Sequence, residues 1–374
     1  MVNCMRKYLC GSVCLLLMVI MSQSCKVQRQ GGDRTIHQAM LKAMRWQEAH
    51  PIAAKAPTDW TNGAYYAGIV KAHEATGDTA FLETLRRMAR RNAWKPWERY
   101  YHADDIIITY AYMYLKQQGD VDADLGPTDV IIKDHLYKPH VWRAGTEKTE
   151  KKILWWWCDA LFMAPPVLAK YAKMKADNSL ITEMDKYYRQ TYDLLYDRND
   201  RLFARDGRFL WTGSDADLKE QNGKKVFWSR GNGWVLAGLA LTLDELPEGH
   251  PSRAFYVDLF IEMADRIKGL QHEDGLWRTS LLHPESFPHG EVSGSGFFTF
   301  ALAWGINKGL LQKSDYGSSV QKAWKALLKC QQEDGKVGWV QNIGYDPKPA
   351  TADSWQNFGT GAFIMAASEV SKLK

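Results

Sequence analysis

The sequence predicts an all-α, single-domain protein built as an (α/α)6 toroid, six helical hairpins in a ring, and three observations predict it. Apolar residues recur at helical spacing, as in Ile36, Met40, Ala43 and Met44 or Phe81, Leu82, Leu85 and Met88, while alternating β-branched patterns are scarce. Six segments are apolar on every side, each after a short start that contains glycine or an acid. A five-residue turn frame also occurs twice, at Gln271-His272-Glu273-Asp274-Gly275 and Gln331-Gln332-Glu333-Asp334-Gly335.

The six starts fall in order along the chain. Asn62-Gly63 precedes Ala64 to Ile69, Asp104-Asp105 precedes Ile106 to Ile108, and Cys158-Asp159 precedes Ala160 to Met163. Asn232-Gly233 precedes Trp234 to Leu239, Ser293-Gly294-Ser295-Gly296 precedes Phe297-Phe298, and Gly359-Thr360-Gly361 precedes Ala362 to Met365. Their mean spacing is about 59 residues, room for two helices and their loops. A helix that is apolar all round must be buried all round. Six of them, alternating with amphipathic partners, imply an inner ring inside an outer ring. All six starts then converge on one mouth. The Gly-terminated turn frames read as the ends of outer helices. Short candidates such as Arg208-Phe209-Leu210-Trp211 read as ribbons between helices. No linker divides the chain.

The first 25 residues read as a targeting segment. Arg6 and Lys7 form a positive start, and the apolar run from Tyr8 to Met21 is short for a membrane span. Ser22-Gln23-Ser24-Cys25 resembles a bacterial lipobox, which makes Cys25 the expected lipidation site and residues 26–34 a short linker before a domain at 35–374. The protein is therefore expected to be exported, periplasmic or anchored to the outer membrane by lipid. The residues after Cys25 lack an acidic cluster, which favours the periplasm. Beyond the leader only Cys158 and Cys330 remain, read as two buried free thiols, and no Cys/His spacing suggests a metal.

Net charge is +5, with Lys and Arg interspersed among acids, so nucleic acid is not an expected partner. The 16 Trp and 17 Tyr residues are numerous enough to fill a core and also to offer flat faces to sugar rings. Asp159 is an acid inside an apolar run; such a carboxyl needs partners or a raised pKa, and the latter suits a general acid. Helix capping or pairing with an Arg is the structural alternative. Asp104 and Asp105 offer a second carboxylate, one of them expected as a helix cap. Trp228-Ser229-Arg230-Gly231-Asn232-Gly233-Trp234 is the densest motif. Its glycines would bring backbone close to a bound molecule, Arg230 offers a fork for a carboxylate, and Trp228 and Trp234 offer stacking faces. Trp60 and His102 stand at two further starts and join the expected sugar-binding set. Ser293 and Ser295 are expected to cap their helix, since no Gly-x-Ser-x-Gly elbow supports a Ser-His nucleophile near His289.

Four blocks carry a family resemblance: Trp157-Cys158-Asp159-Ala160-Leu161-Phe162-Met163-Ala164-Pro165-Pro166, the Trp228–Trp234 motif, Ser293-Gly294-Ser295-Gly296-Phe297-Phe298, and Gly359-Thr360-Gly361-Ala362-Phe363. In this order, over residues from about 35 to the end, the chain resembles the unsaturated rhamnogalacturonyl hydrolases of glycoside hydrolase family 105 and the related unsaturated glucuronyl hydrolases. The resemblance implies an (α/α)6 barrel that removes a terminal 4,5-unsaturated uronic acid from lyase-generated oligosaccharides, with a pectin-type glycan as the default. It implies Asp159 as the donor of a proton to C4 and Asp104 as the second aspartate, positioning substrate and water. Arg230, Trp228 and Trp234 match residues lining the sugar site. No metal or cofactor is implied. The chain departs from the family at two histidines, replaced by Lys148 and by the Arg205-Asp206 pair. The alternatives are a conventional glycosidase using an Asp pair, a non-catalytic lipid-anchored glycan-binding protein, and a lyase on a similar barrel.

Overall fold

In a computed structural model, which describes residues 35–52, 56–139, 142–143 and 152–373, helices succeed one another as the periodicity predicts. They are α1 (35–49), α2 (Trp60–Thr76), α3 (Thr79–Arg91), α4 (Thr109–Gln117), α5 (Gly126–Tyr137), α6 (Ala160–Met163) and α7 (Pro165–Lys175). Then come α8 (Ser179–Leu195), α9 (Ser229–Glu245), α10 (Arg253–Gly269), α11 (Val292–Asn307), α12 (Lys313–Lys329) and α13 (Asn357–Val370). Two antiparallel ribbons interrupt them, β1 (Trp142–Arg143) with β2 (Lys152–Ile153) and β3 (Tyr196–Asp197) with β4 (Leu202–Phe203). The expected ribbon at Arg208–Trp211 is instead a 3-10 turn over Gly207–Phe209, because the Asp206 carboxylate accepts the Arg208 N–H and caps that turn. The targeting segment, Cys25 and Lys148 lie outside the described residues.

Burial sorts the helices into two rings. In α2 every residue from Gly63 to Ala72 is buried, and α9, α11 and α13 are buried along nearly their whole length. In α3 only Phe81, Thr84, Leu85, Met88 and Ala89 are buried, one stripe at helical spacing. The inner ring runs α2, α4, α6–α7, α9, α11, α13, and α13 packs back on α2 to close it. Inner helices approach closely where they carry glycine. A Cβ on Gly68 would stand 2.6 Å from the carbonyl oxygen of Gly361 on α13, so the ring closes through backbone contact.

The two turn frames form one device used twice. Gln271 donates to the carbonyl of Gly275 and to that of Ser319 on α12; Gln331 donates to those of Gly335 and of Ala39 on α1. Gly275 and Gly335 have φ of 97° and 105°, a region costly for other residues, and each lies against the backbone of the next outer helix. Each frame therefore ends one outer helix and docks it on the following one.

The third inner helix is broken. Pro165 cannot continue α6, since it lacks the N–H and clashes one turn back, but it suits the first turn of a new helix. Short α6 is thus freed to hold Asp159 at the mouth.

Gly68→Val should unfold at markedly lower temperature, with a loss of about 3 kcal/mol or more, because the opposing atoms are backbone. Gly269→Ala, at a position with open space, should change stability by less than about 1 kcal/mol; thermal melts of both variants test the ring-closing contact.

Candidate active site

The starts of the inner helices meet at one mouth, where a cleft of about 410 Å³ is lined by Trp60, Asp104, Trp157, Asp159, Met163, Arg205, Trp228, Arg230, Ile343, Gly344 and Tyr345. A larger cavity of about 760 Å³ lies at the opposite end of the ring. Its carboxylates are consumed by lysines: Asp244 pairs with Lys71 and Lys308, Glu245 with Lys173 and Lys170, and Glu369 with Lys372. The mouth is where acids, cations and aromatic faces stand open together.

Asp159 occupies the N-cap position of α6, although its side chain makes no capping hydrogen bond. It is 9% exposed. The chain before it bridges to the segment before the 3-10 turn Gly207–Phe209: Trp157 pairs with Asp206, and Cys158 N–H donates to the Arg205 carbonyl at 2.8 Å. This pairing sets Arg205 beside Asp159, with Nε 3.3 Å from Oδ2. Arg205 Nη1 donates to Asp206 at 2.7 Å, and Asp206 also receives Arg208. Burial would raise the Asp206 carboxyl, but those arginines outweigh it and hold it below the ordinary range.

The two adjacent aspartates divide their roles. Asp105 is fully buried and receives the Arg99 backbone N–H and guanidinium, so it secures the turn. Asp104 faces the cleft. Burial first, then the charges of Asp159 and Asp105, push its carboxyl well above the ordinary value, against the pull of Arg99. His102 lies against Trp157, with ring centroids 4.7 Å apart, and its Nδ1 accepts the Asp104 N–H. Burial and then Arg99, His135 and Arg205 push its imidazole down to about 3, so it stands neutral.

Arg230 is placed differently from the expected open fork. Its Nη1 and Nη2 donate to the carbonyls of Gln341 and Asn342 at 2.7 and 2.8 Å, and it stacks on Trp228 and Phe358. Trp228 holds the same segment, its Nε1 donating to Gln341 Oε1. Both residues line the cleft, yet their polar atoms serve to moor residues 341–342 over it. Burial lowers the Arg230 guanidinium to about 10.

Trp234 is also displaced from the expected role. It is fully buried among Phe162, Phe297, Trp60 and Phe358, forming a floor behind the cleft and not a face within it. Trp60 does line the cleft, stacked on Phe358. The glycines of the dense motif make room for protein: a Cβ on Gly231 would meet Cys158 Sγ at 3.1 Å, and one on Gly233 would meet Phe297 and Gly294. Asn232 clamps β4 through the Phe203 N–H and carbonyl. The α11 cap is also not a hydroxyl. Glu291 accepts the N–H groups of Ser293 and Gly294, and Ser293 Oγ donates to it. His289 packs on Trp339 instead of a serine. Cys158 is a buried free thiol and Cys330 a partly buried one.

Sequence reasoning missed Arg205 as a neighbour of Asp159, and it missed Met163, Ile343, Gly344 and Tyr345. The Arg205-Asp206 pair carried one signal, its reading as a departure from the family that the chain resembles. The 343–345 segment carried none. Among the described residues no cluster of His, Cys, Asp and Glu is arranged to hold a metal ion.

A closed helical barrel with two aspartates, cations and indole faces in its mouth defines a carbohydrate-active enzyme of the six-hairpin type. The chain belongs to Glycosyl Hydrolase Family 88, whose profile matches residues 33–374. It is 56% identical over 369 residues to an unsaturated 3S-rhamnoglycuronyl hydrolase of Formosa agariphila, covering 97% of each chain. Two solved structures align with a TM-score of 0.79. One is a family 88 glycosyl hydrolase from Bacteroides vulgatus, 29% identical over 91% of this chain and 99% of its own. The other is named a polysaccharide lyase, 30% identical over 91% and 97%.

The raised Asp104 carboxyl has a testable consequence. Its protonated form favours folding; that contribution is complete below the ordinary value of 3.8 and is lost as pH rises through the higher native value. Asp104→Asn should therefore match wild type in stability under acid conditions and exceed it increasingly toward neutral pH, in melting temperatures measured across a pH series.

Proposed function

We propose that this enzyme removes the terminal 4,5-unsaturated uronic acid from oligosaccharides released by polysaccharide lyases. The observation that carries this is the pairing of Asp159 and Asp104 in a mouth that also holds a cation and an indole face. The aglycone we propose is rhamnose sulfated at O3, following the 3S-rhamnoglycuronyl name of the Formosa relative and replacing the pectin-type default.

The chemistry follows from the vinyl ether. In the protonated form of Asp159, the proton passes to C4, leaving cationic character shared by C5 and the ring oxygen and a carboxylate at Asp159. Water adds to C5, and its proton passes to a carboxylate. The hemiketal at C5 then opens, the C1 substituent leaves as the saccharide alcohol, and a 4-deoxy-5-keto uronate is released. Asp104, whose carboxyl burial pushes well above the ordinary value, is suited in its protonated form to donate a hydrogen bond to the ring or the water. Trp60 provides a face for the sugar.

One solved relative is named a lyase, so a lyase reading has a specific observation in its favour. The two activities move ultraviolet absorbance in opposite directions. The hydrolase consumes the conjugated C4=C5 bond of a lyase product, and a lyase creates it. Incubation with lyase-generated sulfated rhamnoglycuronans should bleach the band; an increase on the intact polymer would overturn the proposal. Asp159→Asn should lower kcat by about a thousandfold, the scale of a lost general acid, with the melting temperature nearly unchanged.

We also propose that Cys25 is lipidated and holds the exported enzyme at a membrane. Cys25→Ser should move it from the detergent phase to the aqueous phase on Triton X-114 partitioning.

A further inference from the structure

A substrate whose reacting carbon adjoins a carboxylate needs a cation close to the acid, and the cleft lining contains two cations, Arg205 and Arg230. Arg230 is 1% exposed, and both of its Nη groups are consumed by the carbonyls of Gln341 and Asn342. Drawing it toward a ligand would release the 341–342 segment that it moors. Arg205 is held differently. Nη1 is fixed on Asp206 and Nε faces Asp159 Oδ2 at 3.3 Å, while Nη2 makes no hydrogen bond among the described residues and the side chain is 16% exposed. Its plane is supported by Trp156, 5.6 Å from the guanidinium carbon.

We propose that Arg205 is the anchor for the carboxylate of the unsaturated uronide, and that this one side chain sets the double bond against Asp159. The inference rests on the reaction proposed above. The carboxyl carbon is bonded to C5, and C5 to C4, so a guanidinium that touches both the substrate carboxylate and Asp159 brings C4 to the proton donor. The fork is aimed before substrate arrives, because Asp206 grips Nη1 and is itself gripped by Arg208 through two hydrogen bonds. The anions beside Arg205 are Asp159 and Asp206, with the Cys158 thiol next to them, and its cationic neighbours are Arg208 and Arg230. An incoming carboxylate supplies a partner for Nη2, and charge-assisted pairing of this kind is planar and directional.

The test compares an unsaturated uronide disaccharide with its methyl ester, which keeps the C=C bond and removes the charge. Wild type should have a KM about thirtyfold higher for the ester, the scale of a hydrogen bond to a charged group. Arg205→Gln should lose about thirtyfold in kcat/KM on the acid and treat acid and ester alike within about threefold. Arg205→Lys keeps the charge beside Asp206, so it guards against a folding defect in the first variant. It should raise KM for the acid by more than that for the ester. Retention of the full wild-type preference for the acid by both variants would overturn the proposal and return the anchor to Arg230. Calorimetric binding of acid and ester to wild type and Arg205→Gln reads the same discrimination without turnover. A wild type that binds the acid through Arg205 but bleaches no lyase product would sink the reaction and keep the anchor.

Discussion

The backbone contact between α2 and α13 at Gly68 and Gly361 is the constraint on which the rest of the molecule depends. It converts a row of hairpins into a closed ring, and closure brings the beginnings of six inner helices to one rim. Each inner helix points its amide end toward that rim, so the mouth carries the positive ends of several helix dipoles. Some of that potential is consumed by the protein, as where Asp59 caps α2 and Glu291 caps α11. The remainder favours an anion. A uronide fits this field, and its placement needs only local chemistry once the ring has closed.

That local chemistry is a division of labour among like residues. Asp105 secures a turn through Arg99 while its neighbour Asp104 faces the cleft with a carboxyl that burial pushes well above the ordinary value. Arg230 moors the 341–342 segment while Arg205 faces Asp159. Trp234 forms the floor while Trp60 presents a face. In each pair one residue pays for the geometry and the other is left accessible. The far end of the ring shows the contrast. There the cavity is larger, but Asp244, Glu245 and Glu369 are each paired with lysine.

The broken third inner helix links fold to chemistry. Pro165 ends α6 after one turn, and the bridge from Trp157 to Asp206 aligns the preceding chain with the Arg205 segment. Asp159 therefore sits where a helix start, a short bridge and a cation meet. The buried thiol of Cys158, pushed up by burial and then by the Asp159 charge, remains neutral and packs against α9 at Gly231. It fills space beside the acid without adding charge.

The sequence by itself determined the ring. Periodicity distinguished helices buried all round from helices buried on one stripe, and the Gln271 and Gln331 frames repeat because each must end a helix and dock the next, a local requirement written in local residues. It also placed Asp104 and Asp159 at helix starts, since an acid in an apolar run is conspicuous. Only the tertiary structure decided which of Asp104 and Asp105 opens to the cleft, that Arg230 and Trp228 spend their polar atoms on residues 341–342, and that Arg205 adjoins Asp159. Those outcomes depend on contacts across intervals such as Arg230 to Gln341, where neither end carries a periodic signal. A side chain's type states what it can bind; which partner reaches it first is settled by how the ring closes.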